Sequence, residues 1–486
     1  MTEESRRRLT LAATVLGSSM AFIDATVVIV ALPTIEKDLA LGLSGEQWIF
    51  LSYSLALAAL YLPAGAVGDR RGRRGTFLVG VIGFAAASAL AGAAPTGGVL
   101  IVARTLQGIA GAFMTTNSLA LLREVYGHEA GHAVGLWTAF TSLATIGGPP
   151  AGGAIVEWVS WRWIFFLNLP MAGLTVVLTL RGRCAEREHV SVGRLDLPGA
   201  ALAAAGFATL TFGIVDGANH GFGDSWWAFV IAVVCLVAFV VVEHRSEEPL
   251  LPLSLFRSRN FTASNVETLL VYGSLGGMSF FLTIYLQFLG FSPLGAGLAS
   301  IPAGLVLILL STRLGRFADE HGPRLPLTLG PLLLGGGMLL FVLVKQRSDF
   351  WTFGVAGLTL FALGLAAVVA PITATALSSA PQELSGIASG VNVTLSRLGN
   401  LLAVAVAGLV VLLVFQANGG SGKAVPLARG QHDPGLRSAS VDAFHAAMLL
   451  TAGLALAGAA VAAVGVSNEE AKRAKEQREP LPAATA

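Results

Sequence analysis

Four ionisable side chains stand inside long apolar runs: Asp24, Arg104, Glu267 and Arg397. A charge placed in hydrocarbon is costly, so such residues mark ion or substrate pathways, proton relays or buried pairs. An acid in this setting can take up a proton in one state and release it in another. Asp24 lies about eight residues below the end of its run, roughly 12 Å deep at ~1.5 Å per residue. Arg104 lies about six residues below the end of another, at similar depth, so the two can approach one another. Burial and a nearby cation act on a carboxyl in opposite senses, which is how an acid is tuned to exchange its proton in the working range. The alternative is a static ion pair that fixes helix packing. Glu267 lies about six residues from the end of its run, roughly 9 Å deep. It is either a second proton or cation site or a solvated acid at the interface. Arg397 sits nearer the middle of its run, where it can pair with Glu267, meet helix carbonyls or serve structure alone.

The elements that hold these residues follow from composition. Apolar residues make up 54% of the 486 positions and charged residues 12%, against about a quarter charged in a soluble domain. The apolar residues come in blocks long enough to cross a bilayer as helices. A membrane barrel would show short alternating strands, and none are visible. The fold class is therefore all-α and integral to the membrane, with about fourteen spans. They are Leu9 to Leu32, Gln47 to Val67, Gly75 to Ala94, Gly98 to Leu122, Ala133 to Ile155 and Trp161 to Leu180, then Leu197 to Asp216 and Trp226 to Val242. The last six are Phe261 to Phe288, Leu294 to Leu314, Leu325 to Val344, Phe350 to Leu377, Gly386 to Phe415 and Ala443 to Val466. Arg6 to Arg8 before an apolar run resembles a signal peptide, but the run is too long for one and carries Asp24, so it reads as the first span. With the N-terminus in the cytoplasm, most of the 31 basic residues fall in cytoplasmic segments, the positive-inside bias. An even count returns the tail, with Lys472, Arg473 and Lys475, to the same side, where it reads as polar and frayed. The Gly- and Ser-rich loop Gln416 to Val441 reads as a mobile outer connection. Cys184 and Cys235 read as free thiols. Trp48, Trp161, Trp226 and Trp227 lie near span ends and read as interface anchors.

One pattern occurs twice. Gly65, Asp69, Gly72 and Arg74 recur as Gly315, Asp319, Gly322 and Arg324, each 250 positions on and each after the second span of a six-span block. Two parallel six-helix halves explain this, with an extra pair inserted between them. The chain divides as 1–195, a first six-helix bundle; 196–245, the additional pair and linker; and 246–486, a second six-helix bundle with its tail. Gly65 and Gly315 read as sites of close helix contact, and Gly72 and Gly322 as the positive φ of a tight turn. Asp69 and Asp319, acids in basic loops, are expected to pair with a neighbouring helix end or arginine.

The first copy, Gly65 to Arg74, resembles the loop signature of the major facilitator superfamily. Ile23 to Pro33 resembles the first-helix motif of its fourteen-helix drug:proton antiporter family, and Arg104-Thr105-Leu106-Gln107-Gly108 that family's fourth-helix motif. Gly148-Pro149-Pro150-Ala151-Gly152-Gly153 resembles the fifth-helix motif of exporters in the superfamily. Trp161 to Phe165 through Asn168 and Pro170, and Tyr285-Leu286-Gln287, also fit. The chain departs from the pattern at Ile29, where the family often has Asn, and at Ala144, where a leading Gly is expected.

The resemblance implies proton-coupled export of amphipathic drugs or antibiotics from the cytoplasm of a bacterium by a multi-pass protein of the cytoplasmic membrane. In this reading Asp24 and Arg104 couple the proton. Glu267, Arg397 and Tyr285 serve substrate or a second proton, and Gly148, Pro149, Gly152 and Gly153 stiffen the contact between halves. Trp48, Tyr53, Phe140, Phe281 and Tyr285 are aromatics that could line a lipophilic pocket, though most aromatics in such helices face lipid or packing partners. A dedicated exporter of one metabolite or lipid, an importer, or a receptor that moves nothing are the alternatives. No G-x-x-x-x-G-K-[ST] run supports ATP drive, and no His or Cys cluster suggests a metal. The expected partners are a small-molecule substrate, protons and the bilayer, with no cofactor, no nucleic acid and no enzymatic step, and the chain is expected to act as a monomer.

Overall fold

In hydrocarbon a backbone must satisfy its own hydrogen bonds, and a helix does so within one segment. In the computed structural model, which describes residues 2–127, 130–182, 197–246, 252–381, 384–420 and 424–476, every regular element is accordingly helical. The helices are α1 (Glu3–Leu39), α2 (Gly42–Arg71), α3 (Arg73–Gly92), α4 (Gly97–Tyr126), α5 (Ala130–Trp158), α6 (Trp163–Phe166), α7 (Asn168–Arg181), α8 (Leu197–His220) and α9 (Phe222–Arg245). After them come α10 (Arg259–Phe288), α11 (Pro293–Leu298), α12 (Ile301–His321), α13 (Arg324–Leu340), α14 (Val355–Ser378), α15 (Ser385–Ala417), α16 (Pro434–Gly465) and α17 (Asn468–Glu476). Cys184 and the boundary expected at 195 lie outside the described residues; Cys235 is a free thiol.

Twelve described helices are long and apolar enough to cross a membrane, and thirteen if the bent α2 counts as one span. Every expected span has its helix, but α5 is not among the thirteen. Its Gly147–Gly153 run and its threonines dilute the apolar character that the other spans carry.

The chain forms two compact units. One comprises Met1–Leu250, Phe280–Ile301 and Gly408–Ala443; the other comprises Leu251–Ser279, Pro302–Ala407 and Phe444–Ala486. In the first, α1, α3, α4 and α7 surround an apolar core of Met20, Phe77, Val81, Phe84 and Met114. In the second, α13 crosses α14 at glycines: a Cβ on Gly337 would lie 2.5 Å from the Gly357 carbonyl oxygen, and one on Gly357 2.7 Å from that of Gly337. Small residues let two membrane helices approach this closely.

The two copies of the repeated loop both turn on a glycine at positive φ, 96° at Gly72 and 93° at Gly322, where an L side chain is strained. Their acids differ. Asp69 pairs with Arg73, Oδ1 to Nε 2.9 Å, whereas Asp319 is exposed and makes no ion pair among the described residues. Position 323 holds proline where the first copy has Arg73, so the expected partner is missing. The close-contact role expected of Gly65 and Gly315 is also not found. Nothing lies within 4 Å of a Cβ built on Gly65, and on Gly315 it meets only Ala370 at 3.7 Å.

Three further expectations are corrected. The tail is not frayed up to residue 476: α17 is helical and fastened. The described part of the outer loop after residue 423 is tied down, since the Leu427 N–H donates to Ser440 Oγ at 3.2 Å and α16 already begins at Pro434. Trp161 is no exposed anchor; it is 3% exposed and donates to Asp38 Oδ2 at 2.9 Å.

Candidate functional site

Asp24 sits midway along α1 and Arg104 in the first half of α4, and tertiary packing brings them into contact. Arg104 Nη1 donates to Asp24 Oδ2, with Asp24 2% and Arg104 0% exposed. The i, i+3 spacing of Arg104 and Gln107 puts both on one face of α4. Gln107 Nε2 donates to Asp24 Oδ1 at 3.2 Å, and its Oε1 accepts from Arg104 Nη1 at 2.9 Å. Asn168, at the start of α7, donates to Asp24 Oδ1 at 3.3 Å. Ser88 of α3 accepts from both amides, at 2.7 Å from Gln107 and 3.2 Å from Asn168. Three helices, α1, α4 and α7, thus meet at one carboxyl, with Ser88 of α3 behind the two amides, and every side chain that points at the carboxyl is a donor.

Arg104 is held by more than its acid. Its Nε donates to the Ile49 carbonyl at 3.2 Å, and its guanidinium lies 4.3 Å from the centre of the Tyr53 ring. A cation over an aromatic face gains roughly 2 kcal/mol when desolvated. Its Nη2 has no hydrogen-bond partner among the described residues. Loss of the acid would leave this cation buried without its counter-charge, which is the expensive outcome for a buried pair. Gln107 and Asn168 belong to motifs recognised in the sequence, but no signal assigned them to Asp24. Ser88 carried no signal at all, because its role exists only once α3 lies beside α4 and α7.

Glu267, on α10 in the second unit, is 0% exposed, and neither carboxyl oxygen has a hydrogen-bond partner among the described residues. It is therefore not the solvated acid that its depth allowed. The neighbouring polar side chains are already committed: Asn392 of α15 donates to Asn265 Oδ1 at 3.2 Å and Thr268 Oγ1 at 2.9 Å. Arg397, half-buried on α15, forms no ion pair with Glu267. Tyr285 is fully buried and stacks on Phe288 with centroids 5.7 Å apart. Gln287 donates to the Val30 carbonyl at 2.8 Å, tying the end of α10 to α1. Glu46 and Glu243 are also buried, at 4% and 3% exposed. Sequence reading missed both as buried acids, because each stands near a helix end.

The glycine-proline run lies in α5, whose helix continues unbroken through Pro149 and Pro150. Gly148 faces Thr26 and Gly152 faces Val27, so this stretch rests directly on α1. On its other side, a Cβ at Gly153 would lie 2.5 Å from the Pro293 carbonyl oxygen and 2.7 Å from Leu294 Cα. Gly297 reciprocates against the backbone of Pro149. Glu157 Oε2 accepts from the Leu294 N–H at 3.1 Å and Ser292 Oγ from the Gly295 N–H at 3.1 Å, capping α11 where its free N–H groups need acceptors. The α5–α11 contact is thus backbone against backbone with a capped end.

The model of the Major Facilitator Superfamily matches residues 14–404. The chain is 34% identical over 415 residues to the multidrug resistance protein Stp of Mycobacterium tuberculosis, covering 83% of this chain and 75% of that protein. It is 35% identical to the tetracenomycin C resistance and export protein of Streptomyces glaucescens (82% and 75% covered) and 30% identical to the multidrug efflux pump LfrA of Mycolicibacterium smegmatis (85% and 82%). Among solved structures, a bacterial homolog of the human lysosomal transporter Spinster superposes with a TM-score of 0.66 at 18% identity, over 98% of this chain and 99% of that one.

Proposed function

The chain belongs to the major facilitator superfamily, and from that premise we propose that it exports small amphipathic or lipophilic molecules, drugs and antibiotics among them, in exchange for protons. It is a multi-pass membrane protein, and the relatives named for multidrug resistance, export and efflux support the direction of transport. The observation that carries the proton is the buried Asp24–Arg104 pair, with Gln107 and Asn168 on the same carboxyl. Uptake of a proton by Asp24 removes the charge that holds Arg104 and turns an acceptor into a donor. The three helices that meet at Asp24 then lose their common anchor, which couples protonation to rearrangement. Glu267 and Arg397 of the second unit remain as residues for substrate or a further proton, as does Tyr285 of the first, and the α5–α11 contact as the stiff seal against leak. The protein acts as a monomer and needs no cofactor. Proteoliposomes with an imposed pH gradient and a panel of lipophilic dyes and antibiotics test the reading. Gradient-dependent transport of at least one of them is expected, and none across the panel would sink it.

Both termini and the loop at Gly72 face the cytoplasm in this reading, because most basic residues then lie inside. A cysteine placed at Arg71 is expected to resist a membrane-impermeant maleimide in intact cells and to react once the cells are opened. Ready labelling from outside would invert the topology.

Substrate charge follows from the pair. The acid at Asp24 is already matched by Arg104, so the cluster holds no net negative charge for a dication, which needs compensation in a low-dielectric cavity. Each charge exported against a negative interior also opposes about 2.3 kcal/mol per 100 mV. Neutral and singly charged lipophilic compounds are expected to be exported best. Faster export of divalent cations than of monovalent analogues of matched hydrophobicity would overturn this.

A further inference from the structure

The second copy of the repeated loop lacks the residue that knots the first. In the first copy Arg73 donates to Asp69 at 2.9 Å and to the Ala120 carbonyl of α4 at 3.1 Å, and lies 3.5 Å from Glu124. Three helices, α2, α3 and α4, are joined through one guanidinium. Two hundred and fifty positions on, Arg73 is replaced by Pro323 and Glu124 by Ala374. A turn with the same positive-φ glycine therefore has no internal anchor.

The tail occupies that place. Asn468, the first residue of α17, lies over Gly322, and its Oδ1 accepts from the Arg324 N–H at 3.0 Å. The Arg324 side chain reaches on to the Ala463 carbonyl, with Nε at 3.0 Å. Ser467 caps α17 by accepting from the Glu470 N–H at 3.3 Å. In an ordinary capping box the glutamate would return to the cap residue's N–H. Here Asn260 of α10 takes that N–H, at 2.7 Å, and returns its own amide to the Ser467 carbonyl at 2.9 Å. Glu470 is thereby free to accept from Ser258 Oγ at 2.7 Å and from the Asn260 N–H at 3.4 Å, at the start of α10. Arg259 closes the set by donating to the carbonyls of Gly465, at 3.0 Å, and Val464.

We propose that α17 is the working anchor of the second loop: Asn468 and Glu470 are positioning residues that join the ends of α10, α13 and α16, as Arg73 joins α2, α3 and α4. The second unit then moves as one body when transport switches its access from one side to the other. Without the anchor the ends of α10 and α13 move separately, and switching slows while substrate affinity is unchanged. This rests on the export reading above, and the test keeps the two apart.

The double variant Asn468→Ala/Glu470→Ala is expected to lower the maximal export rate of a lipophilic monocationic dye in proteoliposomes by about tenfold, the scale of one or two hydrogen bonds in a switching equilibrium. The dye's KM is expected to stay within about twofold, since uniform binding is untouched. Pro323→Arg, added to the double variant, places an arginine four residues after Asp319, as Arg73 stands to Asp69. The backbone there, φ −75° and ψ −23°, admits it. Recovery of most of the lost rate supports the anchor. A double variant that exports at the wild-type rate, or one that loses rate and is not rescued by Pro323→Arg, overturns it. Should the wild type itself export nothing, the export reading fails, and amide hydrogen exchange still decides the anchor. Exchange at Asn260–Thr262 and Arg324–Leu327 is expected to rise at least about tenfold in the double variant, and unchanged exchange there refutes it.

Discussion

Replacing Asp24 with asparagine is expected to abolish export driven by a pH gradient, a loss of about a hundredfold or more. The amide matches the carboxyl in size but can neither bind nor release a proton. It also turns one oxygen into a donor among side chains that all donate to this position: Arg104, Gln107 and Asn168. Arg104 is left buried at 0% exposure without its counter-ion, at a cost of about 3–5 kcal/mol. The single variant is therefore expected to unfold at lower temperature as well as to stop pumping. The double variant Asp24→Asn/Arg104→Gln separates the two effects. Removing both charges together is far cheaper than removing one, so thermal stability is expected to return most of the way while gradient-driven export stays absent. Substrate exchange without a gradient should persist in the double variant, because the helices still move. If the double variant pumps against a gradient, the pair is only a packing device and the proton travels elsewhere.

The second large effect is expected at Gly153. Adding a single methyl there places carbon 2.5 Å from the Pro293 carbonyl oxygen, 2.7 Å from Leu294 Cα and 2.8 Å from Leu294 N. All three are backbone atoms, so no side chain can turn aside. The methyl must push α11 off α5, and overpacking of this kind costs about 1–3 kcal/mol. Gly153→Ala is expected to reduce export by about tenfold to a hundredfold and to raise labelling of a cysteine introduced at Leu294. Gly147→Ala, in the same helix run, has nothing within 4 Å of its new carbon and should export normally. Equal behaviour of the two variants would show that α5 and α11 need not touch during transport.

Much of this was legible in the chain. An apolar fraction of 54% with 12% charge leaves helical membrane spans as the workable fold, since hydrocarbon cannot solvate a free backbone. The repeat at 250 residues led to the expectation of two related halves, and the depth of Asp24 and Arg104 placed them level with each other. These are properties of composition, period and distance along a helix, all of which are one-dimensional. The sequence counted the α5 segment as a span like the others, but among the described helices α5 falls short of the length-and-hydropathy measure that thirteen spans meet, because a helix lined with glycine and proline for packing loses hydropathy.

What the sequence left open concerns which helix lies beside which. Whether Glu267 is a solvated acid or a buried one depends on α15 and α16 covering α10, and so it was undecided until those helices were placed. Ser88 joins the Asp24 cluster only through the packing of α3 on α4 and α7. Asp319 shows the limit most clearly. The repeat predicted a partner for it by analogy with Asp69, yet the fold leaves it exposed and anchors its loop through Asn468, 146 residues away from Gly322 in the chain. Local pattern determines which residues share a helix face. The hydrogen bonds that cross between helices depend on positions and orientations that no period along the chain encodes, and only the tertiary structure decided them.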